Sequence, residues 1–170
     1  INRDVFARYS SDKPSWFYEV VAPGFKYNMT DIAAAIGIHQ LKKADLFQRQ
    51  RQQLATVYLD QLAALPLVLP AAAPQGWQHS WHLFVVRLTG DAPVGRNEFI
   101  EAMAARNIGC SVHFIPLHIH PYWRDRYHFR PEDFPLAWKA YEAAVSLPLY
   151  PRMGTAEQQR VVDAIRSILR

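Results

Sequence analysis

The chain has a single cysteine, Cys110, among its 170 residues. One thiol excludes an intramolecular disulfide framework and the cysteine-rich zinc sites that need several thiolates. The sequence also lacks an apolar run near the roughly 20 residues that span a bilayer, and its amino end shows no basic-then-apolar signal. These absences predict a soluble, cytoplasmic protein without disulfides.

Charge of one sign is not concentrated anywhere in the sequence. The 19 lysines and arginines stand against 15 aspartates and glutamates, which gives a net charge of +4, and the arginines are scattered. A nucleic-acid interface normally shows a basic patch or stripe, so this distribution argues against nucleic acid as a partner. A mild preference for anionic small molecules fits it better.

The composition is that of a globular domain. Hydrophobic residues make up 50% of the chain and charged residues 20%, which is ordinary for a packed protein and argues against disorder. A chain of this length can bury one substantial core. It opens on Ile1, in a stretch over residues 1–23 without helical or strand period, and this suggests the middle of a longer gene product.

A helical stripe covers the segment from Thr30 to about Leu65. Its apolar residues recur at spacings of three and four, at Ile38, Leu41, Ala44, Phe47, Leu54, Tyr58, Leu62 and Leu65. This period predicts one long helix. Three prolines between residues 66 and 74 then end the helix and make a stiff connector.

The rest of the chain is predicted to alternate strands and helices. Residue type and spacing mark, in order, strand 81–88, helix 96–106, strand 108–114, helix 136–145, extended segment 146–151 and helix 155–169. Thr155 is expected to cap the last helix, with Glu157 behind it. Residues 116–135 are irregular and aromatic, as in a lid or a packed surface loop. This layout predicts an α+β fold with helices packed on a small antiparallel sheet.

The most informative stretch is the run over residues 24–37, where a polar loop leads directly into an alanine-rich helix. Thr30 or Asp31 can accept backbone N–H bonds and cap that helix. Lys26 and Asn28 lie two apart and share one side if the loop is extended. A cation and an amide beside free helix N–H groups suit an anion such as phosphate. The alternative is an ordinary capped helix with a solvated lysine.

This run resembles the interdomain segment of the DegT family, the pyridoxal-phosphate-dependent nucleotide-sugar aminotransferases, in which a G-x-[NK]-x-[RN]-[ML]-[TP]-[DN] loop opens a helix rich in alanine. Other family segments follow in the same order, namely Gln40-Leu41-Lys42-Lys43, Trp81-His82-Leu83-Phe84, 109–114 and 146–151. The resemblance implies the carboxy-terminal small domain of a fold type I pyridoxal-phosphate enzyme. It implies three parts: residues 1–29 end the large cofactor domain, 30–65 form the interdomain helix, and 66–170 form the small domain.

The resemblance also implies an activity for the full-length protein. That activity is transfer of an amino group from glutamate to a 4-keto nucleotide sugar, with pyridoxal phosphate as cofactor. Family enzymes that act on UDP-4-keto-arabinose in lipid A modification resemble the chain most, through the Lys-x-Asn loop, the Trp-His-Leu-Phe strand and His113. A homodimer is implied, because each active site borrows the loop around Lys26 to Asn28 from the partner subunit.

The resemblance gives this chain binding residues and no catalytic residue. The Schiff-base lysine of the family lies upstream, so the chain alone is expected to be inactive. Asn28 and Lys26 are the expected ligands of the cofactor phosphate, and which of them takes it stays open. Tyr27, His113 and Phe114 are the expected substrate contacts, since an imidazole at a strand end can hydrogen-bond a sugar hydroxyl or keto oxygen. The alternative for His113 is a histidine satisfied by backbone groups.

Three other groups could suggest a metal site or a nucleophile, and neither is expected; the role of His118 and His120 stays open. His118 and His120 have a His-x-His spacing, but no carboxylate or thiolate lies close enough in sequence to complete a metal site, so no metal is expected. Cys110 has an apolar residue two positions away on each side, Ile108 and Val112, and is expected to fill space rather than to act as a nucleophile.

Two functions compete with the aminotransferase. One is a non-catalytic, truncated module kept for binding or regulation. The other is a family sugar dehydratase, in which a histidine replaces the Schiff-base lysine and oxygen is removed from the sugar.

Overall fold

A computed structural model describes residues 22–25 and 27–170 of the chain. Two compact units divide between Leu41 and Lys42. The first unit contains helix α1 (Asp31–Leu41), and its cap is Thr30, whose hydroxyl oxygen accepts the backbone N–H of Ala33 at 3.3 Å. Lys26, a predicted phosphate ligand, lies outside the described residues.

The second unit begins with helix α2 (Ala44–Gln61). The prediction of one helix over residues 30–65 is therefore wrong, because Lys42 and Lys43 form a turn between two helices. Neither residue is proline or glycine, so the sequence does not mark the turn. Lys43 has φ and ψ of −100° and −8°, close to the values of the second central residue of a type I turn. The parts that the family resemblance implies for residues 1–29, 30–65 and 66–170 stay a prediction.

A three-stranded antiparallel sheet forms the centre of the second unit. Its strands are β1 (Leu67–Val68), β2 (Phe84–Leu88) and β3 (Ala144–Leu147), in that spatial order. Strands β2 and β3 are in register, with Phe84 opposite Leu147 and Val85 opposite Ser146. The sequence did not predict β1, which lies in the proline-rich connector and is too short to show a period.

Four helices complete the second unit. They are α3 (Arg96–Ala104), α4 (Pro121–Tyr127), α5 (Pro135–Ala143) and α6 (Thr155–Leu169), with 3-10 turns at Leu117–Ile119 and Pro131–Asp133. The aromatic segment 116–135, predicted to be irregular, thus contains one short helix and two turns. Within the described part of the chain, no helix is long and apolar enough to cross a membrane.

Several local predictions need correction. The predicted helix 136–145 ends at Ala143, since Ala144 and Val145 already belong to β3, and the predicted strand 81–88 begins only at Phe84. The predicted strand 108–114 is reduced to a single bridge between Ser111 and Ser146, because only that residue of the segment meets the edge of β3. The cap of α6 is Gly154 rather than Thr155. The carboxylate of Glu157 accepts the backbone N–H of Gly154 at 2.8 Å, and Thr155 is already the first helical residue.

The core lies between one face of the sheet and helices α2, α3 and α6. Alternation along β2 buries Phe84, Val86 and Leu88, as expected for a strand with one apolar face. Fully buried side chains of this core include Tyr58, Leu62, Phe84, Phe99, Met103, Val145, Val162 and Ile165. The predicted α+β fold with a small antiparallel sheet is confirmed.

Candidate functional site

His113 lies at the edge of the sheet, on the face that points away from this core. The backbones of Ser111 and Ser146 exchange two hydrogen bonds, N to O at 3.2 and 2.7 Å. Directly opposed residues of an antiparallel pair share one face, and His113 follows Ser111 by two residues. The imidazole Nδ1 is 2.9 Å from the Ser146 hydroxyl and 3.3 Å from the Ser111 hydroxyl. Two serine side chains therefore hold the ring through one nitrogen.

Within the part of the chain that the structure describes, the other ring nitrogen of His113 is unengaged. Nε2 makes no hydrogen bond to any residue that the structure describes. The ring of Phe114 stands edge-on to the imidazole, with centroids 4.7 Å apart, and is 78% exposed. An open hydrogen-bonding nitrogen beside an exposed aromatic face suits a ligand with both polar and apolar surface, such as a sugar. The alternative of a histidine satisfied by backbone groups does not hold within the described residues, since the partners of His113 are side chains.

The loop before α1 presents its side chains to solvent. Tyr27 is 84% exposed and stacks on Phe25, with ring centroids 5.4 Å apart. Asn28 is also exposed. This loop belongs to the first unit, whereas His113 belongs to the second.

The start of α1 fits a phosphate group. Thr30 accepts the N–H groups of Ala33 and Ala34, through its hydroxyl and its carbonyl oxygen. Earlier N–H groups of a first turn stay available for an anion, and the amide of Asn28 can add a donor. The carboxylate of Asp31, in the same turn, repels an anion. The hydrogen bonds from the N–H donors must therefore contribute more than this repulsion costs.

His118 has an environment that the sequence did not suggest. The residue is buried, and Nε2 finds no hydrogen-bond partner among the described groups. It lines an apolar cavity of about 240 Å³ together with Leu117, Trp123, Phe129 and Phe134. His120 is exposed. Among residues 22–25 and 27–170, no three His, Cys, Asp or Glu side chains are grouped so as to hold a metal ion.

Cys110 packs against the core and is half-buried. Burial raises the pKa of its thiol to about 11. Because the thiolate is the reactive form, this shift makes Cys110 a poor nucleophile near neutral pH, in agreement with the prediction that it fills space.

Sequence reasoning missed the two serines that hold His113. Ser111 could have been found, since a residue two positions away shares a face in extended chain. Ser146 lies 33 residues from His113, and its role depends on strand register, which no local pattern reveals.

Comparison with known proteins gives one family. A model of the DegT/DnrJ/EryC1/StrS aminotransferase family matches residues 3–166. The uncharacterized protein MJ1066 of Methanocaldococcus jannaschii is 42% identical over 170 residues, which are 99% of this chain and 44% of that protein. SpsC of Bacillus subtilis, a spore coat polysaccharide biosynthesis protein, is 42% identical over 173 residues, or 100% and 44%. The chain thus spans less than half the length of these relatives.

A solved structure agrees in fold. The putative sugar aminotransferase Spr1654 from Streptococcus pneumoniae, in its apo-form, superposes with a TM-score of 0.77 and 26% identity, over 91% of this chain and 38% of that one. The same protein has been solved in PMP- and PLP-forms. The similarity confirms that the chain shares its α+β fold with fold type I sugar aminotransferases and that the family uses pyridoxal phosphate.

Proposed function

Because the chain belongs to the DegT/DnrJ/EryC1/StrS aminotransferase family, we propose that the full-length protein transfers an amino group from glutamate to a 4-keto nucleotide sugar. The substrate we propose is of the UDP-4-keto-arabinose type, and the product serves lipid A or a surface polysaccharide. Similarity to SpsC, a polysaccharide biosynthesis protein, supports the polysaccharide route. We place the reaction in the cytoplasm.

The proposal that this chain binds the sugar rests on His113. Its Nε2 is open within the described residues, while Nδ1 is held by the Ser146 hydroxyl at 2.9 Å. The imidazole can hydrogen-bond a sugar hydroxyl or the keto oxygen, and the exposed ring of Phe114 can cover an apolar face of the sugar. Tyr27 is proposed as a further contact from the loop before α1.

Asn28 and Lys26 are proposed to hold the phosphate of the cofactor. The donors at the start of α1 and the Asn28 amide support this choice. When bound, pyridoxal phosphate supplies the electron sink that transamination needs. The residues of this chain contribute binding and orientation, and the lysine that carries the cofactor is proposed to lie upstream, so that the chain alone is inactive.

A homodimer with shared active sites is part of the proposal. The described residues of the first unit bury no side chain of α1. Its exposed apolar side chains are Phe25, Tyr27, Met29, Ile32, Ile36, Ile38 and Leu41. A surface this apolar is normally covered in the working protein, and a loop that serves the partner subunit's active site would be covered there.

The test is an assay of the full-length protein with pyridoxal phosphate, glutamate and UDP-4-keto-arabinose, in which mass spectrometry detects the aminated sugar. His113→Ala should lower kcat/KM for the keto sugar roughly 5- to 150-fold, since one hydrogen bond of about 1 to 3 kcal/mol is lost. The half-reaction with glutamate should change only a few-fold.

His120→Ala is the matched control, because His120 is an exposed histidine of the same segment. It should leave both half-reactions unchanged. No amination of any 4-keto sugar nucleotide would refute the proposed reaction, and an equal fall of both half-reactions in His113→Ala would refute the role of His113.

A further inference from the structure

The hydroxyl of Ser146 is the nearest polar partner of His113 among the described residues, 2.9 Å from Nδ1. We infer that Ser146 is a positioning residue, which holds the imidazole through Nδ1 in both of its protonation states and so keeps Nε2 as the nitrogen that meets the sugar. This inference rests on the proposed function, because it takes the sugar contact of His113 as given.

The backbone fixes the position of Ser146 from both sides. In β3, Ser146 pairs with Val85 of β2, and on its other edge it exchanges two backbone hydrogen bonds with Ser111. Its neighbours Val145 and Leu147 are buried in the core. Ser146 itself is 5% exposed. A side chain anchored in this way has little freedom, so its hydroxyl is a fixed point for the less buried imidazole of His113.

The chemistry of a hydroxyl matters here, because it both donates and accepts. It can donate to Nδ1 of a neutral imidazole, and it can accept from Nδ1–H of the other tautomer or of the imidazolium. A backbone carbonyl would accept only, which would leave Nε2 of a neutral ring without a proton. A carboxylate would favour the charged ring. Serine leaves Nε2 able to donate to a keto oxygen or to accept from a sugar hydroxyl.

Ser111 plays a lesser part in the same arrangement. Its hydroxyl is 3.3 Å from Nδ1 and the residue is exposed. Since Nδ1 has one lone pair or one proton to offer, two hydroxyls cannot both bond it at full strength. The shorter contact, from the buried residue, is therefore the one that orients the ring.

The experiment compares Ser146→Ala and Ser146→Thr in the full-length enzyme. Loss of one neutral hydrogen bond should lower kcat/KM for the 4-keto sugar nucleotide roughly 3- to 10-fold in Ser146→Ala. The glutamate half-reaction should stay within about twofold, and Ser146→Thr, which keeps the hydroxyl, should recover most of the loss. Ser167→Ala, an exposed serine on α6, serves as the control without effect.

A second readout does not depend on activity. With histidine labelled with 15N, the His113 Nδ1 signal reports the hydrogen bond at that nitrogen, and it is assigned by its loss in His113→Gln. Ser146→Ala should move this signal toward that of a free imidazole. An unmoved signal would overturn the inference, as would a fall of both half-reactions together, which would mark Ser146 as merely structural.

A failure of the proposed function would give a different experimental result from a failure of this inference. If His113→Ala has full activity toward the sugar, the role of His113 is wrong, whatever Ser146→Ala does to the spectrum. If His113→Ala loses activity and Ser146→Ala does not, His113 keeps its role and the positioning by Ser146 is refuted.

Discussion

Tyr58 donates its hydroxyl proton to the carbonyl oxygen of Pro148 at 2.9 Å. The residue is fully buried, and its ring centroid lies 5.0 Å from that of Phe84. Burial raises the pKa of Tyr58, so the phenol stays protonated and can donate this bond throughout the physiological range. The bond joins α2 to the residue that follows β3, and thereby steadies the strand that carries Ser146.

Tyr58→Phe should lower the free energy of unfolding by about 1 to 2 kcal/mol, because the Pro148 carbonyl loses its donor while the ring still fills the core. Urea unfolding followed by circular dichroism measures this change. Tyr122→Phe is the control, since Tyr122 is 67% exposed, and it should stay within about 0.5 kcal/mol of the unaltered protein. Equal effects of the two changes would show that the buried bond contributes nothing.

Trp81 and Gln52 form a second link, between α2 and the segment that leads into β2. The indole Nε1–H of Trp81 donates to the Gln52 side-chain oxygen at 2.7 Å, and Trp81 is only 3% exposed. Gln52→Ala should lower the free energy of unfolding by about 1 to 2 kcal/mol, because the buried N–H loses its acceptor. Gln52→Glu, which keeps an acceptor, and Gln53→Ala, one residue along, should both cost less than half as much in the same urea titration. If all three variants unfold alike, the Trp81 bond is dispensable.

The sequence predicts best those helices and strands that are determined by residues close together in the chain. Helix α6 was predicted with the bounds that the structure shows, since its apolar period and Glu157 both lie within the segment. The turn at Lys42 and Lys43 has no such cause, because neither proline nor glycine marks it. Strand β1 has only two residues, and it exists because Leu67 and Val68 meet Leu88 and Arg87.

The residues of the candidate site likewise divide into those that the sequence indicates and those that only the fold brings together. His113 and Phe114 could be named from the sequence through a family resemblance, and their roles stay predictions. Their surroundings could not, because the partner of His113 comes from another strand. A pairing between distant segments depends on the whole fold, whereas a helix cap or a period depends on a few neighbouring residues.

The start of α6 offers a test of two competing caps. Glu157→Ala should lower the free energy of unfolding by about 0.5 to 1 kcal/mol, because the Gly154 N–H loses its partner and the helix its favourable charge. Thr155→Ala should change it by less than about 0.5 kcal/mol, since Thr155 is already helical. Thermal or urea unfolding of the two variants decides the matter, and a larger loss in Thr155→Ala would restore Thr155 as the cap.

The burial of Cys110 should make the stability of the protein and the reactivity of this thiol depend on pH. Its thiol has a pKa of about 11 against an ordinary value of 9.0. The folded state therefore holds this proton more tightly than the unfolded state, and stability should fall as pH rises from about 9 through about 11. Alkylation of Cys110, followed by peptide mass mapping, should keep accelerating up to about pH 11, which reports the raised pKa directly. Cys110→Ala should flatten the fall in stability, and a native alkylation midpoint near 9 would contradict the shift.

Substitution of Asn28 tests whether the first unit binds the phosphate of the cofactor. In the full-length protein, Asn28→Ala should raise the dissociation constant of pyridoxal phosphate about tenfold or more, because the phosphate loses a donor that contributes roughly 1 to 3 kcal/mol. Asn28→Asp should weaken binding further, since a carboxylate would face the phosphate beside Asp31. Equilibrium dialysis with absorbance detection of the cofactor measures the dissociation constant for the unaltered protein and for each variant. Asn97→Ala, an exposed asparagine on α3, should leave the constant within about twofold. If Asn28→Ala binds the cofactor as tightly as Asn97→Ala does, the Asn28 amide does not touch the phosphate, and the assignment would pass to Lys26 and the upstream part of the protein.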